Sequence, residues 1–396
     1  MHCSCEVPGE VLVLPREGAS GQFQNERFEV VYSARRILDH YAEISGDQPI
    51  PEEAWGRLER QPSQPFVIRV REGEEHRTAM RLVTDRRVSA AIPNISIAPA
   101  AASIDRTEVA SVIRYHGAEA AAPVCGSGVR VAVLDTGVDA TLVPSCTVQY
   151  DVASPAITTS AADPDGHGSV VAAIIHQIAP SATIYSLKVF PNGTLGGLVV
   201  GAQLAIAVAA PHVINLSLGL DISRDRCRKC GYPNGQQFPE RLVHSFFMML
   251  ENHATPVKPL VVAASGNESR MLLPARCDSV LAVGAFDMAT DDRPDYARYS
   301  RVPSARFIMA DGGSNSRPVG HSGWGKPLYG TSFSAAVASG IAARFACAYV
   351  DHTPCGRPSH TINDLGSQLR RDIARAATRV TGHTADVHGL GIVRYR

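Results

Sequence analysis

Three residue types that together can carry out acyl transfer stand in three short segments of this 396-residue chain. Asp135 closes the apolar run Val131 to Leu134 and leads into Thr136-Gly137, His167 lies between Gly166 and Gly168, and Ser332 follows Gly330-Thr331. A serine hydroxyl is a poor nucleophile at neutral pH, so attack on a carbonyl needs a base within hydrogen-bond reach. An imidazole suits that task, because it accepts the proton and later returns it to the leaving group. A buried carboxylate on the other ring nitrogen fixes the tautomer and stabilises the imidazolium. Taken singly, each residue has an ordinary reading as a turn aspartate, a loop histidine or a helix-capping serine. Their order along the chain, acid then base then nucleophile, is what raises them above that.

With Val261-Val-Ala-Ala-Ser-Gly-Asn267 between the histidine and the serine, the four segments resemble the subtilase family of serine proteases. The likeness continues through Ala179-Pro180-Ser181-Ala182, Val213 to Gly219 and Leu273 to Ala285, and covers roughly residues 125 to 396. It implies a serine endopeptidase in which Asp135, His167 and Ser332 form the triad. The Asn267 side-chain amide and the Ser332 backbone N–H then donate to the oxyanion. It also implies that a peptide adds as a strand against Gly193-Thr194-Leu195 on one side and Ser217-Leu218-Gly219 on the other. Ala264-Ser265-Gly266 is expected to wall the primary pocket. Its floor falls in Glu268 to Leu273, where Glu268, Arg270 and Met271 leave the preferred side chain open. The same residues would also serve a transpeptidase, or a silent fold that only binds peptides. Two departures bear on the packing behind the site: Gly-Ser-Val-Val-Ala-Ala follows His167, and Phe333-Ser-Ala-Ala-Val follows Ser332.

These residues need elements to hold them. Residues 125–396 alternate short apolar runs with helical stretches, among them strands at Val131 to Leu134 and Ile184 to Val189. Helices are expected at Val170 to Ile178 and from Ser332 through Ala343. The fold class that follows is α/β, a doubly wound, mostly parallel sheet with helices on both faces and with Asp135 and Asn267 near the carboxyl ends of their strands. Residues 1–99 read as a small α+β domain in ferredoxin-like order. Its strands are expected at Val11 to Leu14, Phe28 to Tyr32, Phe66 to Val70 and Val88 to Ile97, and its helices at Ala34 to Ile44 and Arg77 to Thr84. The alanine-rich stretch 100–124 reads as a linker. In the family a domain of this kind is a propeptide, so residues 1–99 are expected to act as an intramolecular inhibitor, with a cut between Pro99 and Cys125; the alternative is a fused interaction domain that is never removed.

Composition narrows the rest. Hydrophobic residues make up 45% of the chain and the formal net charge is +0, which supports a large core and gives no reason to expect nucleic acid as a partner. The longest apolar stretch, near Leu198 to Ala210, is too short to span a bilayer, and Met1 to Pro8 lacks a charged leader with an apolar run, so cytoplasmic residence is the expectation. Nine cysteines without small-domain spacing fit free thiols. Cys227 and Cys230 have half of a zinc spacing, but no second such pair occurs, so neither metal nor cofactor is expected. The stretch from Val170 to Ile178 passes straight into Ala179-Pro180, leaving no room for the calcium loop that many secreted subtilases insert there.

Overall fold

Alternating and continuous apolar runs settle into two sheets of different kinds. The computed structural model describes residues 6–19, 28–44, 50–96, 98–99, 126–152, 163–190, 193–220, 237–253, 257–267, 271–288, 294–296, 307–321, 327–350, 364–379 and 389–395. The linker 100–124, the pair Cys227 and Cys230, and Glu268 and Arg270 lie outside the described residues.

The N-terminal sheet contains β1 (Glu6–Pro15), β2 (Val30–Ser33), β3 (Phe66–Arg69) and β4 (Val88–Ile95), in the order β2-β3-β1-β4 and antiparallel throughout. Helices α1 (Ala34–Ile44) and α2 (Glu53–Glu59) lie between β2 and β3, and α3 (Glu75–Leu82) between β3 and β4. The side-chain period of two splits this sheet cleanly. Val11, Val13, Phe66 and Ile68 pack under α3 with Ala79 and Leu82. Leu12, Leu14, Val67 and Ile92 face the opposite way and join the core of the second sheet.

After β4 the chain leaves its sheet. Ser96 bridges Thr194, and the two-residue strand β5 (Ala98–Pro99) pairs antiparallel with residues 218–219.

The second sheet runs β6 (Arg130–Asp135), β7 (Cys146–Asp151), β8 (Thr183–Lys188), β9 (Val213–Leu216), with β10 (Leu218–Gly219) just beyond it, then β11 (Leu260–Ala264), β12 (Leu281–Met288), β13 (Pro294–Tyr296) and β14 (Ile308–Asp311). Seven of these strands are parallel, in the spatial order β7-β8-β6-β9-β11-β12-β14, and β13 pairs antiparallel with the end of β12. Such strands are buried on both faces and read as unbroken apolar runs. In β6, Ala132 and Leu134 face the core shared with α5 (Leu195–Ala209) and α6 (Gln237–His253). Val131 and Val133 face that of α4 (His167–Ile178), α7 (Thr331–Ala346) and α8 (Leu365–Ala376). The sheet is therefore doubly wound. Strand order reverses around β6, flanked by β8 and β9, so a crevice opens beyond its carboxyl end.

Among the described residues, Cys146, Cys277 and Cys347 are buried and outside any disulfide, and no helix is long and apolar enough to cross a membrane.

Candidate functional site

Asp135 is the last residue of β6, placed in that crevice by the apolar run before it. His167 opens α4, and two glycines set its approach. Gly166 turns into the helix at φ 83°, and a Cβ on Gly168 would lie 2.1 Å from the carbonyl oxygen of Gly137, so only glycine lets the first turn of α4 press against the loop after β6. This contact brings the His167 Nδ1–H to 2.7 Å from Asp135 Oδ1, with both residues buried. Nδ1 is thereby fixed as the donor, and Nε2, which has no hydrogen-bond partner among the described residues, keeps its lone pair in the neutral ring.

A second carboxylate braces this pair. Asp163 Oδ1 accepts from Thr136 Oγ1 and from the Gly166 N–H, each at 2.8 Å; its Oδ2 accepts from the Ser169 N–H and hydroxyl at 2.8 and 2.7 Å. Thr136 Oγ1 in turn accepts from the Gly168 N–H at 2.9 Å, and the Thr136 N–H donates to Asp135 Oδ1 at 2.8 Å. Burial alone would depress the His167 pKa, but the Asp135 carboxylate and its hydrogen bond, with Asp165 and Asp163 behind them, outweigh it and raise the pKa above the ordinary value. Asp165 is itself pushed up, chiefly by burial.

Ser332 is the second residue of α7, two positions past the capping residue Gly330, and is buried. The ring centroids of His167 and Phe333 are 5.7 Å apart, which sets the imidazole beside the first turn of α7. The Ser332 hydroxyl donates to the Ser217 carbonyl at 3.0 Å, while the Ser217 hydroxyl donates back to the Ser332 carbonyl at 2.8 Å. Behind this reciprocal pair, Asn215 Nδ2 donates to Ser217 Oγ and Ser339 Oγ donates to Asn215 Oδ1, both at 2.9 Å and all buried.

Asn267 follows β11. Its Oδ1 accepts from the Thr331 N–H at 2.9 Å and the Thr331 hydroxyl at 3.0 Å, so the carbonyl side of the amide is anchored to α7 and the opposite branch is the donor Nδ2. Of the residues before it, Ala264 ends β11, the Ser265 N–H donates to the Val283 carbonyl, and the Gly266 N–H donates to Thr331 Oγ1 at 3.1 Å.

The two edges expected to receive a peptide do flank an extended segment, and that segment belongs to the chain itself. Ser96 pairs with Thr194 on one side, and Ala98 and Pro99 pair with Gly219 and Leu218 on the other. Gly193 directly precedes the first edge. Leu195 is the first residue of α5 and fully buried, and Thr194 caps that helix by accepting from the Gly197 N–H at 2.9 Å. Asp163, Thr136, Asn215 and Ser339 complete the site without having been singled out from sequence.

Comparison with known proteins bears on the family and the fold. A model of the subtilase family matches residues 126–386. Alkaline elastase YaB of Bacillus sp. (strain YaB) is 32% identical over 234 residues, covering 55% of this chain and 54% of that protein. Subtilisin BL of Lederbergia lenta is 33% identical over 201 residues, covering 47% and 65%. The chain thus spans about half to two-thirds of the length of these relatives. Among solved structures, fervidolysin from Fervidobacterium pennivorans, a keratinolytic enzyme related to subtilisin, shares the fold with a TM-score of 0.62 at 17% identity, over 100% of this chain and 61% of that one.

Proposed function

The chain belongs to the subtilase family, and from that premise we propose that it is a serine endopeptidase that hydrolyses peptide bonds with Ser332 as nucleophile, His167 as general base and acid, and Asp135 as the carboxylate that orients the base. The observation that carries this reading is the buried 2.7 Å bond from His167 Nδ1 to Asp135, which leaves Nε2 without a partner among the described residues, beside the helix turn that holds Ser332. In the attack, Nε2 takes the Ser332 proton as Oγ bonds to the carbonyl carbon, and the imidazolium then gives that proton to the leaving amine. Asn267 Nδ2 and the Ser332 N–H donate to the oxyanion, the latter at the positive end of α7.

Gly193 and Thr194 on one side and Ser217, Leu218 and Gly219 on the other bind the peptide as an added strand, and Ala264, Ser265 and Gly266 wall its primary pocket. In the register of β5, a peptide one residue longer than Pro99 sets an N–H against the Ser217 carbonyl. That N–H competes with the Ser332 hydroxyl for its acceptor and releases the hydroxyl toward His167. The N-terminal unit, residues 1–99, is then an intramolecular inhibitor whose tail Ser96–Pro99 occupies the cleft until a cut between Pro99 and Cys125.

The test treats wild type and Ser332→Ala with a fluorophosphonate probe and a diverse peptide library. Labelling at Ser332, cleaved library peptides, and self-cleavage of wild type into two fragments while the variant stays whole are the expected results. Peptide cleavage that persists in Ser332→Ala overturns the assignment. Labelling without cleaved or ligated products favours a regulated or very specific enzyme, absence of labelling favours a silent fold, and wild type that cleaves peptides yet stays whole removes the inhibitor role.

A further inference from the structure

Helix α5, Leu195 to Ala209, is buried along its whole length and its sequence, LGGLVVGAQLAIAVA, carries no charge. A helix that is apolar all round is stable only when covered on every side. One side lies on the parallel sheet, with Ala132, Leu134 and Leu187; the other is covered by the N-terminal unit, through Leu12, Leu38, Leu58 and Ile92 in the same core.

The N-terminal unit also bonds both ends of this helix. At the amino end Asn94 Oδ1 accepts from the Gly196 N–H at 2.9 Å, and the Tyr32 hydroxyl, itself accepting from Asn94 Nδ2, lies 2.7 Å from Thr194 Oγ1. At the carboxyl end Arg57 Nη1 donates to the Ala207 carbonyl at 3.1 Å, where a cation also complements the helix dipole, and Gln61 Nε2 donates to the Gln203 carbonyl at 3.2 Å. Gly196 records how close the approach is. A Cβ there would meet Val67 Cγ2 at 2.5 Å, the Tyr32 hydroxyl at 2.8 Å and Asn94 Oδ1 at 3.0 Å, so its three nearest neighbours all come from the N-terminal unit. By contrast, the tail beyond Ile95 is tied to the cleft by the short backbone pairings at Ser96 and Ala98–Pro99, and Ser96 is exposed.

We propose that the N-terminal unit is a permanent part of the folded protein, seated on α5. A cut within residues 100–124 frees the strand Ser96–Pro99 from the cleft but leaves the body of the unit in place, so that Tyr32 remains against Thr194, and Asn94 against Gly196, as part of the cleft wall. The inference rests on the peptidase reading only in naming the cleft and the cut; the apolar seat on α5 stands without it.

The experiment uses full-length Ser332→Ala protein with a recognition sequence for an unrelated protease placed within residues 100–124. After complete nicking, the expected result is two bands on a denaturing gel but a single native peak in size exclusion at low micromolar concentration, separating only at denaturant concentrations that also unfold the protein. Two native peaks, or a fragment 125–396 that is soluble and monodisperse alone, would overturn the proposal. Gly196→Val in the same background is expected to make the nicked halves separate; if they stay together, α5 is not the seat. Because no step needs catalysis, a failed peptidase assignment leaves this result unaffected.

Discussion

The two halves of the site are braced very differently. On the acid–base side, Asp163 accepts four hydrogen bonds from three residues, Thr136 links it to both Asp135 and the first turn of α4, and the His167 ring is locked by its bond to Asp135. On the nucleophile side, the backbone of α7 is held through Ser217, Asn215 and Ser339, but the Ser332 hydroxyl is bonded to the Ser217 carbonyl while His167 Nε2 has no partner among the described residues. The difference teaches which part of the reaction geometry is set during folding. The base is pre-organised, so its orientation costs nothing when a peptide arrives. The Ser332 hydroxyl is instead held by the Ser217 carbonyl, and in the proposed reading the backbone of the bound peptide competes for that acceptor.

The largest effects break both halves at once. Ser332→Ala and His167→Ala should each lower turnover about a millionfold, the loss known for subtilisin, and the double variant should be little worse because the two groups act as a unit. Steady-state peptide hydrolysis measures all three, and losses that multiply in the double variant would mean that the two halves act separately. Asn267→Ala tests the nucleophile side alone. The oxyanion donor of subtilisin is worth about a hundred- to a thousandfold, and a similar fall in kcat with little change in KM is expected here. A loss confined to KM would make Asn267 a binding residue instead.

Asp163→Ala tests the bracing itself. It strips four donors of their acceptor, and hydrogen bonds to charged groups contribute about 1.5–3 kcal/mol each. Since Asp163 is only half-buried, water recovers part of this, and a net loss of about 2–3 kcal/mol is expected. It should appear as a lower denaturant midpoint at constant slope. Unchanged stability would show that the acid–base half is no better braced than the other.

The sequence is informative about this site where chemistry dictates the residue type and much less so where it dictates only a partner. Asp135, His167, Ser332 and Asn267 stand at ends of elements whose apolar runs are plain, and the structure puts them there. Asp163 has no periodicity to mark it; its one signal is an acidic side chain just ahead of a helix start, where a carboxylate suits the helix dipole. Asn215 was open to notice as a polar residue inside the apolar strand Val213–Leu216, since a buried amide must find partners. Leu195 stands at the expected peptide edge through the resemblance alone, and in the structure it is the first residue of α5, a helix without a polar face to mark where it begins. Helix α2 escaped because seven residues with only Ala54 and Leu58 buried give too short a pattern. The expected helix at Arg77 to Thr84 begins two residues sooner, at Glu75, whose carboxylate accepts from the Gly73 and Gly9 N–H groups.

The smallest expected effect sharpens the comparison by tuning the base while its bond to Asp135 stays in place. Asp165 lies two residues before His167, and its charge is one of those that raise the imidazole pKa, after Asp135. Hydrolysis needs the neutral ring, so activity is gained as pH rises through that pKa, and a raised value moves the acid limb of kcat/KM above the usual imidazole range. Asp165→Asn removes one negative charge and keeps the shape. The acid limb should move to lower pH, toward the ordinary histidine value, while the plateau at higher pH stays within about twofold, since the bond from Nδ1 to Asp135 is untouched. Added salt should move the limb of the parent protein in the same direction, because partly exposed Asp165 is screened whereas buried Asp135 is not. A limb that does not move in either experiment would mean that the tuning comes from Asp135 alone; a plateau that collapses in Asp165→Asn would mean that Asp165 belongs to the bracing after all.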